Sequence, residues 1–206
     1  MRCIPSFAGV ATAALLVACG AGAHELPMWE RPGLLGAVRP EMGPPQPGQL
    51  APNFELPTLD GPAFRLQDAR GSWVVLHFTA SWCPFCDAEV EQLGKVAQTY
   101  ADRNVKVVLV DVQEEQAHFT QYARAHVAGA VIALWDGSGD AARRYAPTHL
   151  QPAIEDRAQV VFDSTVIVDP KGRIRMFVLP DSKHFDPTFA AVRRELDAML
   201  TAGETR

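Results

Sequence analysis

Between Trp73 and Thr79 the chain reads Trp-Val-Val-Leu-His-Phe-Thr. Such a near-continuous apolar run, rich in β-branched residues, suits a strand covered on both faces. It leads through Ser81-Trp82-Cys83-Pro84-Phe85-Cys86 into Val90, Leu93, Val96, Ala97 and Tyr100, whose spacing follows the 3.6-residue period of a helix with one apolar face. Pro84 fits the first helical turn, where its missing N–H costs nothing. A buried strand that turns at once into an amphipathic helix needs cover on both sides of a sheet, and this commits the chain to an α/β layer fold.

The rest of the chain extends that unit. Phe54-Glu55-Leu56 and Phe64-Arg65-Leu66 flank Asp60-Gly61 and read as a short N-terminal hairpin. Val105 to Val110 reads as a second strand and Glu114 to Ala128 as a helix. Val131 to Trp135 is strand-like, followed by a short helix from Asp140 to Tyr145. Thr165–Val168 and Arg173–Val178 form a hairpin about Asp169-Pro170-Lys171-Gly172. A last helix is expected with Asp186 as N-cap, Pro187 at its first position, and Phe189, Val192, Leu196, Met199 and Leu200 on one face. Strands alternate with helices until the final hairpin, so the sheet is expected to be mixed.

Residues 1–18 begin with a single Arg and continue apolar, in the manner of a secretory signal peptide. Two cleavage points compete. Leu16-Val17-Ala18-Cys19 looks like a bacterial lipobox, with Cys19 the lipidated residue, whereas Ala21-Gly22-Ala23 suits soluble export after residue 23. Residues 19–49 form a Pro-rich tether: seven of the 16 prolines fall between Pro27 and Pro52. The working domain is expected over 50–203. With 19 basic and 24 acidic residues the net charge is −5, which gives no electrostatic footprint for nucleic acid.

Of the 4 cysteines, Cys3 and Cys19 lie in the leader, leaving Cys83 and Cys86 as the pair in the domain. A pair so closely spaced staples no large fold, so its use is redox chemistry or metal binding. At the mouth of a helix, free N–H groups and the macrodipole favour a thiolate at Cys83, and the thiolate is the attacking species in disulfide exchange. Cys86, one turn later, is placed to resolve the mixed disulfide. Structural zinc lacks further soft ligands, and no cofactor is expected.

The segment Ala80-Ser81-Trp82-Cys83-Pro84-Phe85-Cys86-Asp87-Ala88-Glu89 resembles the active-site segment of the thioredoxin superfamily, and more narrowly its exported TlpA/ResA-like, redoxin branch. The resemblance runs from about Leu50 to Leu200 and includes Val-Ile-Val-Asp-Pro-Lys-Gly-Arg. It implies a thioredoxin-like fold, a central mixed sheet flanked by helices with an N-terminal hairpin extension, and a thiol–disulfide oxidoreductase in the bacterial envelope. Its expected partners are disulfide-bearing envelope proteins and an electron-donating membrane or periplasmic thiol protein. Glu89 matches a glutamate of that branch that tunes the thiols and relays protons; as a bare residue it is equally an ordinary helix glutamate. His77 falls where thioredoxins keep a buried Asp that assists the resolving cysteine, so it reads either as a base or as a hydrogen-bonded core histidine. Trp82, Pro84, Phe85, Ser164 and Thr165 are expected to dock substrate.

Two features depart from the family. The cis-proline that faces the cysteines is missing from Phe162-Asp163-Ser164-Thr165, and the connection from Ala146 to Ser164 is long. Pro-Phe between the cysteines resembles glutaredoxins and points to a potential less reducing than about −270 mV. Two alternatives stay open. One is a Sco-like copper-binding assembly factor using Cys83, Cys86 and His149, although Sco proteins space their cysteines one residue wider. The other is a thiol peroxidase, for which Thr79 stands one residue out of step.

Overall fold

The computed structural model describes residues 45–82, 86–146, 164–178 and 186–204, all within one compact unit, Arg39–Arg206. The leader, Cys19, most of the tether, Cys83, Pro84, Phe85, His149 and Asp163 lie outside the described residues. So does most of the long connection after Ala146.

A hairpin of β1 (Glu55–Leu56) and β2 (Phe64–Arg65) opens the domain. Its strands are two residues each, because Pro57 to Ala63 forms a wide loop instead of a tight turn about Asp60-Gly61. Next come β3 (Trp73–Thr79), α1 (Cys86–Thr99), β4 (Val105–Val112), α2 (Gln116–His126), β5 (Val131–Asp136) and α3 (Asp140–Tyr145). β6 (Thr165–Val168), β7 (Ile174–Val178) and α4 (Ala190–Glu204) complete it. The main sheet has the order β5-β4-β3-β6-β7; β3, β4 and β5 run parallel, and β6 and β7 are antiparallel to their neighbours. This is the mixed sheet expected, with β3 in the middle.

Side chains alternate across a strand, so each strand feeds two cores. Val74, Leu76 and Phe78 of β3 join Val108, Val110, Leu134 and Tyr145 on the face covered by the hairpin and α3. Val75, Leu109 and Ile167 meet Val90, Leu93 and Val96 of α1 and Val192, Leu196 and Leu200 of α4 on the other. Each fully buried Leu contributes about 1.5–3 kcal/mol, and these two layers bury the sheet on both faces. Toward the C-terminal ends of β3 and β4 the α1 face changes character: His77, Thr79 and Asp111 replace aliphatic residues there, all fully buried.

Each edge of the sheet is partly covered by a neighbouring segment, which shields some of its strand groups. Pro57 and Thr58 lie along β5, with Trp135 N donating to Pro57 O at 3.1 Å and Thr58 bridging Leu134. On the other side Gly48 N donates to Ile174 O at 2.7 Å and Ile174 N to Gln49 O at 2.9 Å, so the end of the Pro-rich segment pairs with β7. The hairpin turn at Asp169 is closed by Gly172, at φ 80, and by Asp169 Oδ1, which accepts from the amides of Lys171 and Arg173, each at 2.9 Å.

The last helix starts later than expected. Asp186 does not cap a helix beginning at Pro187; its Oδ1 accepts from Thr188, its Oδ2 accepts from Ala191 N at 2.9 Å, and the helix begins at Ala190. Phe189, at φ 54, breaks the helical path and turns its ring into the core. Burial opposes ionisation of Asp186, but the donors of Ala191, Thr188 and Ala190 outweigh it and hold its carboxyl below the usual range.

Candidate active site

α1 opens directly off the C-terminal side of β3, and Cys86 is its first residue. Cys86 is fully buried and disulfide-bonded. Trp82, just before the cysteines in the sequence, has 61% of its surface exposed.

Beneath Cys86, three elements bring polar side chains together. Glu89, one turn along α1, is 4% exposed, and its Oε2 lies 3.5 Å from Nε2 of His77 on β3. Nδ1 of His77 lies 3.1 Å from the hydroxyl of Thr165 on β6. The Glu89 contact is at ion-pair distance, and the Thr165 hydroxyl gives or takes the hydrogen bond at Nδ1 according to the tautomer of the ring. Phe189 presents its ring edge-on to His77 with centroids 5.3 Å apart and screens the pair on the α4 side. The register sets His77 opposite Thr165, so the Thr165 contact follows from the pairing of β3 with β6. Glu89 is thus not an exposed helix residue: it sits in a buried chain, Glu89–His77–Thr165, that starts one turn from Cys86. Ser164, also fully buried, accepts from Phe78 N through its carbonyl at 3.0 Å.

A second group of acids lies on the β4 side. Ending β4 at Val110, as the sequence suggests, leaves Asp111 in a loop; the strand in fact runs to Val112 and carries Asp111 inward, opposite Thr79. Burial, followed by the charge and contact of Glu114 and the charge of Asp136, pushes the Asp111 carboxyl up to about 9. Glu114 in turn accepts from both the backbone N–H and the hydroxyl of Ser81, the residue before Trp82. Its own carbonyl accepts from Trp135 Nε1 at 2.8 Å. Neither Asp111 nor Glu114 stands out in the sequence. The available signal was an acid set within an apolar β run, at a position of the same parity as Leu109.

The raised Asp111 carboxyl makes stability depend on pH. An unfolded chain releases this proton near pH 4, whereas the folded chain keeps it until about pH 9. The folded state therefore binds more protons between those values, and this contribution to stability is full below pH 4 and lost as pH rises through 9. Asp111→Asn removes the titration. Its urea midpoint, measured at pH 5.5, 7 and 8.5, is expected to gain on the wild type progressively as pH rises.

Among the described residues, no group of three or more His, Cys, Asp or Glu is arranged to hold a metal ion. No described helix is long and apolar enough to cross a membrane.

A cysteine-bearing helix springing from the central strand of a mixed five-stranded sheet defines a thioredoxin-like protein. The chain belongs to the AhpC/TSA family, whose pattern matches residues 47–177. It is 47% identical over 58 residues to the thioredoxin-like protein YneN of Bacillus subtilis, a match covering 28% of this chain and 34% of YneN. It is 33% identical over 76 residues to the thiol-disulfide oxidoreductase ResA of Geobacillus thermodenitrificans, covering 37% and 44% of the two chains. The chain thus spans less than half the length of these two curated relatives. Its fold matches a crystal structure from Chlorobium tepidum, described as a thiol:disulfide interchange protein DsbE, with a TM-score of 0.62 and 22% identity over 76% of this chain and 99% of that one. The thioredoxin-superfamily resemblance, with its ResA-like branch, accordingly holds.

Proposed function

We propose that this chain is an exported thiol–disulfide oxidoreductase that reduces disulfides of envelope proteins through Cys83 and Cys86. The observation that carries the reading is a disulfide-bonded Cys86 at the start of α1, buried above the Glu89–His77 pair. Cys83, three residues earlier, is its partner in this reading. The similarity to ResA supports the activity, and the leader-like residues 1–18 support export, with Cys19 or the bond after residue 23 as the processing point.

In the working cycle the Cys83 thiolate attacks one sulfur of the target disulfide. A Cys83–target bond forms and the other target sulfur leaves as a thiolate. Cys86, deprotonated, then attacks Cys83 Sγ, forming the Cys83–Cys86 bond and expelling the second target thiolate. The target gains two electrons and two protons, and the chain loses them from its two thiols. A dithiol partner restores the reduced pair. Glu89 and His77 receive and pass on the Cys86 proton within a site from which water is largely excluded. The exposed Trp82 ring, with Pro84 and Phe85, docks the target, whereas Ser164 and Thr165, expected from the sequence to share that role, are buried within the fold.

Insulin reduction by the mature chain, with dithiothreitol as the electron source, tests the reading. Catalysed precipitation of the insulin B chain that is lost in Cys83→Ser is the expected result. Catalysed consumption of a hydroperoxide without insulin reduction would put a peroxidase in its place. Stoichiometric copper retained through purification, again without insulin reduction, would put a copper-binding assembly factor there.

A further inference from the structure

Ser81, at the turn that leads toward Cys83, is held from the side by an acid that the exchange chemistry does not use. Glu114 lies in the loop after β4, and both of its carboxylate oxygens are taken by Ser81, one by the backbone N–H and one by the hydroxyl. Ser81 is two residues before Cys83. Behind Glu114 stands Asp111, fully buried, with neither oxygen meeting a backbone or side-chain donor. Its neighbour is the Glu114 carboxylate itself. Two carboxyl groups side by side, one of them fully buried and the other partly so, are favoured with a proton between them. Glu114 spends its oxygens on Ser81, which leaves Asp111 to carry that proton and to act as the donor. Among the described residues, the other ionisable groups that act on this pair add no positive charge. They are Asp136 from β5 on the opposite face of the sheet and Tyr122 from α2, whose hydroxyl faces Asp87 at the start of α1.

We propose that Glu114 and Asp111 are positioning residues for thiol–disulfide exchange: Glu114 clamps Ser81, two residues ahead of Cys83, and Asp111 holds that clamp in place through a shared proton. The inference rests on the oxidoreductase reading of Cys83 and Cys86. It has a consequence that a purely structural role lacks. Once Asp111 ionises, the two carboxylates repel each other, Glu114 leaves Ser81, and the turn loosens while the fold remains.

The test follows oxidation of the reduced full chain by oxidised glutathione from pH 6 to 10, with the Cys83–Cys86 pair read by alkylation and peptide mass. At pH 7, Glu114→Ala and Asp111→Leu are expected to slow the reaction by about tenfold or more, in line with the cost of a misplaced reacting group. Asp111→Asn, whose amide still donates toward Glu114, is expected to recover most of that loss. Above about pH 9 the wild type is expected to fall behind Asp111→Asn by at least threefold, as Asp111 loses its proton. Wild-type rates in Glu114→Ala, or an Asp111→Asn profile that tracks the wild type across the whole range, would overturn the inference. Should Asp111→Leu fail to fold by circular dichroism, the comparison of Asp111→Asn with the wild type decides. A wild type that forms no Cys83–Cys86 disulfide at any pH overturns the oxidoreductase reading, and the inference falls with it.

Discussion

Cys83→Ser is expected to abolish insulin reduction, with a loss of about a thousandfold or more, whereas Cys86→Ser is expected to stop after the first half of the cycle. The asymmetry follows from position. Cys86 is fully buried as the first residue of α1, so it meets a target only through a sulfur already joined to the chain. A thiol placed ahead of the helix has the N-terminal dipole to stabilise its thiolate and access to an incoming disulfide. Cys86→Ser therefore accumulates a mixed disulfide between Cys83 and the target, visible on a non-reducing gel and dissolved by dithiothreitol. Cys83→Ser is expected to accumulate none. Mixed disulfides in equal yield from both variants would contradict the assigned order of attack.

The second large effect concerns the buried pair. Glu89→Gln keeps the size of the side chain and a polar contact with His77 but removes the group that takes up a proton. General acid–base assistance of this kind contributes about a hundredfold to ten-thousandfold, so resolution of the mixed disulfide is expected to slow by about a hundredfold. Stability is expected to change by no more than about 1 kcal/mol, because the amide keeps the size of the side chain and an oxygen that still accepts from His77. His77→Ala behaves differently. It strands Glu89, 4% exposed, without its ring partner and leaves a cavity beside Phe189 and Thr165. Removing one member of a buried pair costs about 3–5 kcal/mol, so this variant is expected to lose both stability and rate. Quenched-flow trapping of the mixed disulfide from pH 6 to 9, beside urea denaturation of both variants, separates the two outcomes. Resolution at the wild-type rate in Glu89→Gln would reduce the pair to a structural contact.

The contrast between the two sides of the site shows what a sequence of this kind discloses. β3 and α1 were legible because local patterns agree there: an apolar run followed by a 3.6-residue period. His77 was visible as the one ionisable residue in the apolar run Trp73–Thr79. Its contact with Glu89 was not, because it depends on how α1 lies across the sheet. Asp111 was missed for a related reason. At the edge of an apolar segment an acid reads as the first residue of a loop, and only the pairing of β4 with β3 as far as Thr79 opposite Asp111 carries it into the interior. Glu114 is polar, lies in a loop, and has an acidic neighbour in Glu115; its contact with Ser81 spans 33 residues. The late start of α4 was hidden by Asp186 and Pro187, which together mimic a helix start, while Phe189 turns out of the helical path to cover His77.

In the proposed cycle the two acidic systems serve one redox centre from opposite sides. Glu89 and His77, on the Cys86 side, would serve the resolving step. Glu114 and Asp111, which hold Ser81 two residues ahead of Cys83, would serve the attacking step. The first system is reached through α1 and β6, the second through β4 and the loop that follows it. Substitutions in the two systems are therefore expected to act on different half-reactions.

The most direct test of the central claim is a glutathione redox titration of the metal-free mature chain, with differential alkylation of Cys83 and Cys86 read by mass. The account requires a single two-electron transition confined to those two residues. As a reductase with Pro84-Phe85 between its cysteines, the chain is expected to show a midpoint between about −270 and −200 mV. A midpoint near −120 mV would contradict reduction as its direction and make it an oxidant. Absence of any Cys83–Cys86 disulfide at every poise would contradict the exchange mechanism itself.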